Sequence, residues 1–358
     1  MKKARFWIGI AISLIALALA FRQVNFQEVW ASLAGANYWL LAVALIPLVT
    51  FLVLRAFRWR VLFYPQQGLR IRNLFAVINI GYLLSNIFPA RLGDVARAYL
   101  LGDTEDVSRT RTFSTIVAER VLDALSAVGG FFLVLPFAPL PDWMVRSGAI
   151  IGVVALVALV LLVVLMRSRD WTLRLLDRIL VALHWPDGET MTRFWERLAQ
   201  RSRLRFVAGL PWADRAKVQA TAGSLIEGFS GIATARLGPR LLLWSVAIWT
   251  AISIYYWVVL LAFDPGQRFV AGLAVASVTA LGMTIPASPG YIGVFEFLAR
   301  ETMVLFGMQA EPALSYALVA HAIVYVVYNL LGLAGMVQQN LSYAEIQQTI
   351  STEASSST

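Results

Sequence analysis

The sequence predicts an all-α fold: a polytopic membrane helix bundle in which two broken-helix hairpins are related as an inverted repeat. Three observations carry this reading. Of 358 residues, 59% are hydrophobic and only 14% charged, a balance that belongs to chains dissolved in lipid. The apolar residues gather into about eight runs, most of them near the ~20 residues that a bilayer crossing needs. Two short segments 197 residues apart share one pattern, Pro89-Ala90-Arg91-Leu92-Gly93 and Pro286-Ala287-Ser288-Pro289-Gly290. Each interrupts an apolar run where a membrane helix would otherwise continue. Helix breakers at corresponding places in two halves of a membrane chain mark a site built from discontinuous helices.

In chain order, the apolar runs are 6–22, 38–57, 73–88, 112–137, 143–166, 240–263, 269–285 and 313–336. The first follows Lys2, Lys3 and Arg5 and ends in Ala18-Leu19-Ala20. That combination resembles a signal peptide, but the spans that follow favour an uncleaved first helix. Segments 89–101 and 287–301 are too short and too polar to cross. Each is expected to fold back as the second limb of a re-entrant hairpin, which lipid tolerates only where protein or a water-filled cavity covers the backbone. Hairpin-shaping roles fall to Pro89, Gly93, Pro286, Pro289, Gly290 and Gly293. Residues 1–340 are expected to form one transmembrane domain, with a first half of about 1–140 and a second of about 143–340. Stretch 167–239 mixes Trp171, Leu175 and Ile179 with arginines at helical spacing, the composition of interfacial helices. The polar tail 341–358 is expected to be disordered.

Charge orients the bundle. Basic residues cluster at the N-terminus, after the second run (Arg55, Arg58, Arg60, Arg70, Arg72), and through 167–240, where 13 Lys/Arg stand against 7 Asp/Glu. By the positive-inside rule these stretches and both termini are cytoplasmic. All three basic stretches share one face only if 73–101 enters and leaves from that face, which makes it a hairpin. The second hairpin then opens from the opposite face, and the halves are inverted.

The composition also excludes functions. The net charge of +9 is that of cytoplasmic loops, so no nucleic acid partner is expected. With no Cys and two His, thiolate chemistry is ruled out and a histidine-built metal site is not expected. No phosphate-binding Gly-rich loop is present, and no cofactor is predicted.

Glu119, Arg120 and Asp123 lie inside the fourth apolar run. Three unpaired charges there would cost about 8–10 kcal/mol. Glu119 and Asp123, at i and i+4, share a helix face, whereas Arg120 points about 100° away, toward a partner such as Asp94. In the second half Ser288 and Glu296 follow the break, and His321, Tyr325 and Asn329 draw an i, i+4, i+8 stripe down the last run. The candidate substrate-binding set is therefore Arg91, Asp94, Arg97, Glu119, Arg120, Asp123, Ser288, Glu296 and His321. A helix starting after each break turns free N–H groups inward, and with Arg91, Arg97 and Arg120 these favour a phosphate.

The string Asn86-Ile87-Phe88-Pro89-Ala90-Arg91-Leu92-Gly93-Asp94-Val95-Ala96-Arg97 resembles a motif of the lysylphosphatidylglycerol synthase transmembrane-region family. Glu119-Arg120-Val121-Leu122-Asp123 is similar to a second motif of that family, and Pro286-Ala287-Ser288-Pro289-Gly290-Tyr291-Ile292-Gly293 through Glu296 to a third. Tyr291 stands where a second Gly is usual. The resemblance implies a bacterial or archaeal plasma-membrane protein with flippase-like function. In founding members this region moves an aminoacylated phospholipid made by an attached aminoacyltransferase; this chain looks like the stand-alone members. The function expected is movement of a phospholipid or polyprenyl-phosphate-linked lipid between leaflets, by a protein that is not an enzyme. The alternatives are a membrane glycosyltransferase acting on a polyprenyl-phosphate-linked lipid and a scaffold for an unlinked lipid synthase.

Overall fold

The computed structural model describes residues 2–22, 24–66, 68–88, 92–138, 142–167, 169–182, 218–219, 222–223, 237–284 and 287–341. Pro89, Arg91, Pro286, the stretch 167–239 beyond Ala182 apart from seven residues, and all but the first residue of the 341–358 tail therefore lie outside the described residues. Among the described residues the regular secondary structure is all helix. The helices are α1 (Lys2–Ala20), α2 (Phe26–Ala34), α3 (Tyr38–Val43), α4 (Leu45–Leu62), α5 (Ile71–Ile87), α6 (Leu92–Glu105) and α7 (Arg109–Val134). They continue with α8 (Asp142–Arg167), α9 (Arg169–Ala182), α10 (Gly238–Leu261), α11 (Phe269–Gly282), α12 (Val294–Leu305) and α13 (Ala310–Gln338).

Four stretches among the described residues are long and apolar enough to cross a membrane: Tyr38–Leu62, Arg109–Phe137, Gly238–Leu261 and Ala310–Gln338. Between them stand two pairs of shorter helices. At 1.5 Å per residue, α5 and α11 reach only about 25 and 21 Å, short of the ~30 Å hydrocarbon thickness. Each ends at a break and is followed by a still shorter limb. Phe88 leaves the helix with φ −104°, ψ 142°, and α6 begins at Leu92. After α11 a single turn, Pro289–Tyr291, precedes α12, with Gly290 at φ 70°, Tyr291 at φ 58° and Gly293 at φ 92°. These left-handed values explain the glycines, and the Tyr291 value explains why the resembled motif prefers Gly there.

The packing repeats itself. Helix α4 packs on α5, α5 on α6 and α6 on α7, while α10 packs on α11, α11 on α12 and α12 on α13. Across the halves α5 meets α13 and α11 meets α7, so exchanging α4–α7 for α10–α13 preserves the pattern. The corresponding pair α4 and α10 runs antiparallel. Asn37 N donates to Ala262 O at 3.0 Å ahead of one end of the pair; at the other, the Phe57 and Trp244 rings stack at 5.4 Å. Leu48 packs between these levels with Tyr255 and Val259. Antiparallel equivalents are what an inverted repeat requires.

Small residues set the close approaches. A Cβ on Gly93 would run into the carbonyl oxygen of Gly81 and Ser85 Oγ, so the limbs of the first hairpin touch backbone to backbone. Gly332 and Gly335 bring α13 against Asn79, Leu83 and Ala76 of α5. Helix α1 clasps the second hairpin, with Gly9 against Ala287, Ser13 O against Gly293, and Ser288 N donating to Ser13 Oγ at 2.9 Å.

One element departs from the sequence reading. The connection 22–37 contains α2, capped by Asn25 Oδ1 accepting from Gln27 N at 3.0 Å. Val29 is buried against Ala20 and Leu314, while Phe26 and Trp30 are exposed. The helix is too short to show as an apolar run, and its one-sided burial is that of an interfacial element.

Gly93→Ala is expected to lower the thermal midpoint in detergent, at an overpacking cost of about 1–3 kcal/mol. Gly129→Ala, where a Cβ meets nothing within 4 Å, should leave the midpoint in place. Equal midpoints for the two variants would contradict the backbone contact in the hairpin.

Candidate functional site

The face of α4 that packs inward carries Leu48, Leu52, Arg55, Trp59 and Leu62 at i+3 and i+4 steps. Two of its arginines, Arg55 and Arg58, are therefore driven into the bundle; Arg58 is 0% exposed. The sequence reading placed both on a cytoplasmic flank, because it weighed their charge and not their helix face. That assignment is corrected here: both are buried, and they meet the carboxylates of α7. Arg55 bonds Glu119 and lies 3.0 Å from Asp123 Oδ2. Arg58 Nη2 reaches Asp123 Oδ1 at 2.5 Å, while its Nη1 donates to Ser245 Oγ of α10 at 3.1 Å.

Arg97 of α6 enters from the other side. Its Nη2 donates to Glu119 Oε2 at 2.8 Å, and its guanidinium lies 4.2 Å from the centroid of the Trp59 ring. Trp59 is fixed in turn by its Nε1 donating to Thr115 Oγ1 at 3.0 Å. Glu119 is thus bonded on one oxygen to α4 and on the other to α6, and it is 0% exposed. Arg120 points away from Glu119, as the helix geometry requires, and grips Asp94 through Nε at 3.2 Å and Nη2 at 2.6 Å.

Among the described residues this network sets four guanidinium groups (Arg55, Arg58, Arg97, Arg120) against three carboxylates (Asp94, Glu119, Asp123), leaving one positive charge uncompensated. Buried donors remain as well: Nε of Arg55, Arg58 and Arg97, and Nη1 of Arg97, have no hydrogen-bond partner. Unsatisfied charged donors away from water are costly. The arrangement is suited to receive an anion with several acceptor oxygens. Glu119 and Asp123 share Arg55 and Arg58 between them, and no three His, Asp or Glu side chains among the described residues are grouped to hold a metal ion.

The remaining candidates form a second group. Glu296 Oε2 accepts from Gly293 N at 2.6 Å, which closes the first turn of α12, and Oε1 lies 2.6 Å from His321 Nδ1. Ser288 Oγ donates to Ile292 O at 3.2 Å and shapes the turn instead of facing the arginines. Between the groups runs a seam along α5 and α13. Tyr82 and Tyr328 stack at 4.4 Å beside Arg55, and Asn86 Nδ2 donates to Asn329 Oδ1 at 3.2 Å. The Gly290 backbone lies against Tyr325 and the carbonyl oxygen of Asn86. The turn of the second hairpin therefore abuts the end of the helix that leads into the first break. The polar stripe His321, Tyr325, Asn329 lines this seam.

Comparison with known proteins adds identity to this geometry. The sequence profile described as the lysylphosphatidylglycerol synthase TM region matches residues 6–332. A relative named glycosyltransferase AglD, from Haloferax volcanii, is 28% identical over 93% of this chain and 54% of its own length. The chain thus spans about half of that protein. A UPF0104 membrane protein of Methanothermobacter thermautotrophicus is 25% identical, with 83% of this chain and 82% of that one covered. Another, from Archaeoglobus fulgidus, is 24% identical, with 81% and 83% covered.

Removing the charge at the centre of the network has a definite expected cost. Glu119→Gln leaves Arg55 and Arg97 buried without their shared counter-charge and should destabilise by about 3–5 kcal/mol. Adding Arg97→Gln should recover part of that loss, so the double variant falls short of additivity in thermal unfolding. Additive losses would mean that the two side chains do not interact.

Proposed function

The chain belongs to the lysylphosphatidylglycerol synthase TM region family of multi-pass membrane proteins, and from that membership we propose that it is a flippase-like transporter of an anionic, phosphate-bearing lipid. The observation that carries the proposal is the buried network with its surplus guanidinium charge and unpartnered N–H donors, set within an inverted repeat. The head group phosphate is held by Arg55, Arg58 and Arg97, with Arg120 on the next face of α7, while the acyl or isoprenoid tails stay in lipid. Asp94, Glu119 and Asp123 are counter-charges that hold the arginines while no phosphate is present and yield them when one enters. The inverted halves then expose the site to one leaflet at a time. The protein sits in a bacterial or archaeal plasma membrane, with both termini cytoplasmic, and its partner is the lipid itself or a separate synthase that makes it.

A second reading has one observation in its favour, the relative named as a glycosyltransferase. That name belongs to a protein nearly twice as long. In the present chain each candidate general base is engaged with guanidinium groups: Glu119 with Arg55 and Arg97, Asp123 with Arg58, Asp94 with Arg120. Both oxygens of each of these carboxylates are already engaged by guanidinium groups, which favours transport over sugar transfer.

In liposomes carrying the purified protein and a trace of fluorescent lipid, a phospholipid or a polyprenyl-phosphate lipid should reach the opposite leaflet faster than in empty vesicles. A neutral diacylglycerol should show no such gain. Arg58→Gln and Arg97→Gln should each slow exchange by at least about tenfold, the equivalent of one lost charged contact of ~1.4 kcal/mol or more. No exchange above empty vesicles for either phosphate-bearing cargo would refute transport.

A further inference from the structure

The pairing of the two halves exposes a difference between them. In each hairpin the second limb begins with an acidic residue three positions into the helix, Asp94 in α6 and Glu296 in α12. Each reaches a basic side chain on the long helix that follows, Arg120 of α7 and His321 of α13. These ion-pairing positions correspond under the exchange of the halves. The acid-to-base spacing is also nearly the same, 26 and 25 residues. The bases differ, and Asp94 has Arg97 as a second partner at 3.6 Å where Glu296 has the Gly293 amide. A guanidinium stays charged at every physiological pH, whereas an imidazole ordinarily gains and loses its proton between pH 5 and 8.

From this we infer that Glu296 and His321 form a proton-binding site that couples lipid movement to a proton, acting as a latch between the second hairpin and α13. The inference rests on the transport reading above and supplies its driving ion. With a proton on each ring nitrogen, His321 is an imidazolium that neutralises Glu296 across 2.6 Å. Loss of the second proton to water on the open side leaves neutral imidazole facing a carboxylate that is 6% exposed. A buried carboxylate without a counter-charge destabilises the closed contact, so the hairpin separates from α13. Re-protonation closes it. One proton is bound and one released per cycle at His321, while the other oxygen of Glu296 stays held by Gly293 N.

The groups that face the pair among the described residues are aromatic or phenolic. Phe295 lies 4.6 Å from the imidazole, centroid to centroid, and Tyr325 stands edge-on at 6.5 Å. The titratable groups on the neighbouring elements are Tyr291 in the turn, Tyr255 and Tyr256 on α10, Tyr82 on α5, and Tyr316 and Tyr328 on α13 itself, all phenols that ordinarily ionise near pH 10. Further along α12, Arg300 bonds Glu301, and at the far end of α13 Glu311 faces the Asn25 amide. Helix α1 contributes Ser13, which does not ionise. Movement at the latch also has a path to the first hairpin: a Cβ on Gly290 would run into Tyr325, and the turn that holds Gly290 packs on α5.

The test uses the full chain in liposomes with phospholipid cargo and an imposed pH difference across the membrane. The readout is the ratio of exchange with and without the gradient, alongside the pH titration of the His321 ring by 15N NMR. In the natural protein the ratio should exceed one by about fivefold, within the usual range of coupling energies. Glu296→Gln keeps an acceptor for Gly293 N, and His321→Arg copies the first half; both should bring the ratio to one. A purely structural cap would lower exchange in these variants while the ratio persisted, and that result would overturn the inference. So would a ratio of one in the natural protein when exchange is measurable. If no exchange occurs at all, the transport reading fails by itself. The latch then stands on the titration: a His321 transition between pH 5 and 8 that moves in Glu296→Gln supports it, and its absence overturns it.

Discussion

Charge inside a bilayer must be neutralised locally, and in this protein Glu119 is where that requirement is concentrated. It carries no exposed surface and binds α4 through one oxygen and α6 through the other, so three helices share a single counter-charge. Around it the packing follows. Trp59 is oriented by Thr115 to roof Arg97, and Gly81 leaves room for the Arg97 side chain, whose methylenes a Cβ there would strike. Ser245 brings α10 of the other half into the same network. A bundle held in this way is stable only while the pairs are intact or replaced by an equivalent anion. On the proposed transport reading a phosphate is such an equivalent, and it would allow helices to part without stranding guanidinium groups in a dry interior.

The inverted repeat gives that exchange a direction. Two equivalent hairpins, each shorter than the membrane is thick, are bound to opposite partners: α5 to α13, and α11 to α7. Rocking one half against the other trades contacts of one kind for contacts of the same kind. The halves are not chemically equal, however. The first holds the network and a permanently charged latch, Asp94 with Arg120; the second holds a latch that a proton can open. In the transport cycle proposed above, substrate affinity resides in one half and the coupling ion in the other.

Much of this was legible in the residues. The two breaks, the hairpins and the inversion follow from Pro and Gly placement together with the distribution of Lys and Arg. The direction of Arg120, away from Glu119 and toward Asp94, follows from 100° per residue. Arg55 and Arg58 escaped notice because a charge near a helix end usually marks a solvated flank. Their spacing from Leu48, Leu52 and Leu62 was the available signal, since it places them on the buried face. Helix α2 escaped because a nine-residue helix buries one face only, although Asn25 and Glu28 carry the Asn-x-x-Glu signature of a helix start. Only the glutamate half of that signature marks the start of α12, where Glu296 Oε2 accepts from Gly293 N. What no local pattern revealed was the correspondence of Arg120 and His321, which depends on the packing of both halves.

The most direct test asks whether water reaches the network from each side in turn. The chain has no cysteine, so Ser245→Cys places one thiol beside Arg58 without removing a charge. In oriented liposomes, a membrane-impermeant maleimide should modify it from either face, one at a time, and a phosphate-bearing lipid should slow that reaction. Modification no faster than that of Ala317→Cys in the sealed apolar core, under every condition and from both faces, would show that the network never opens.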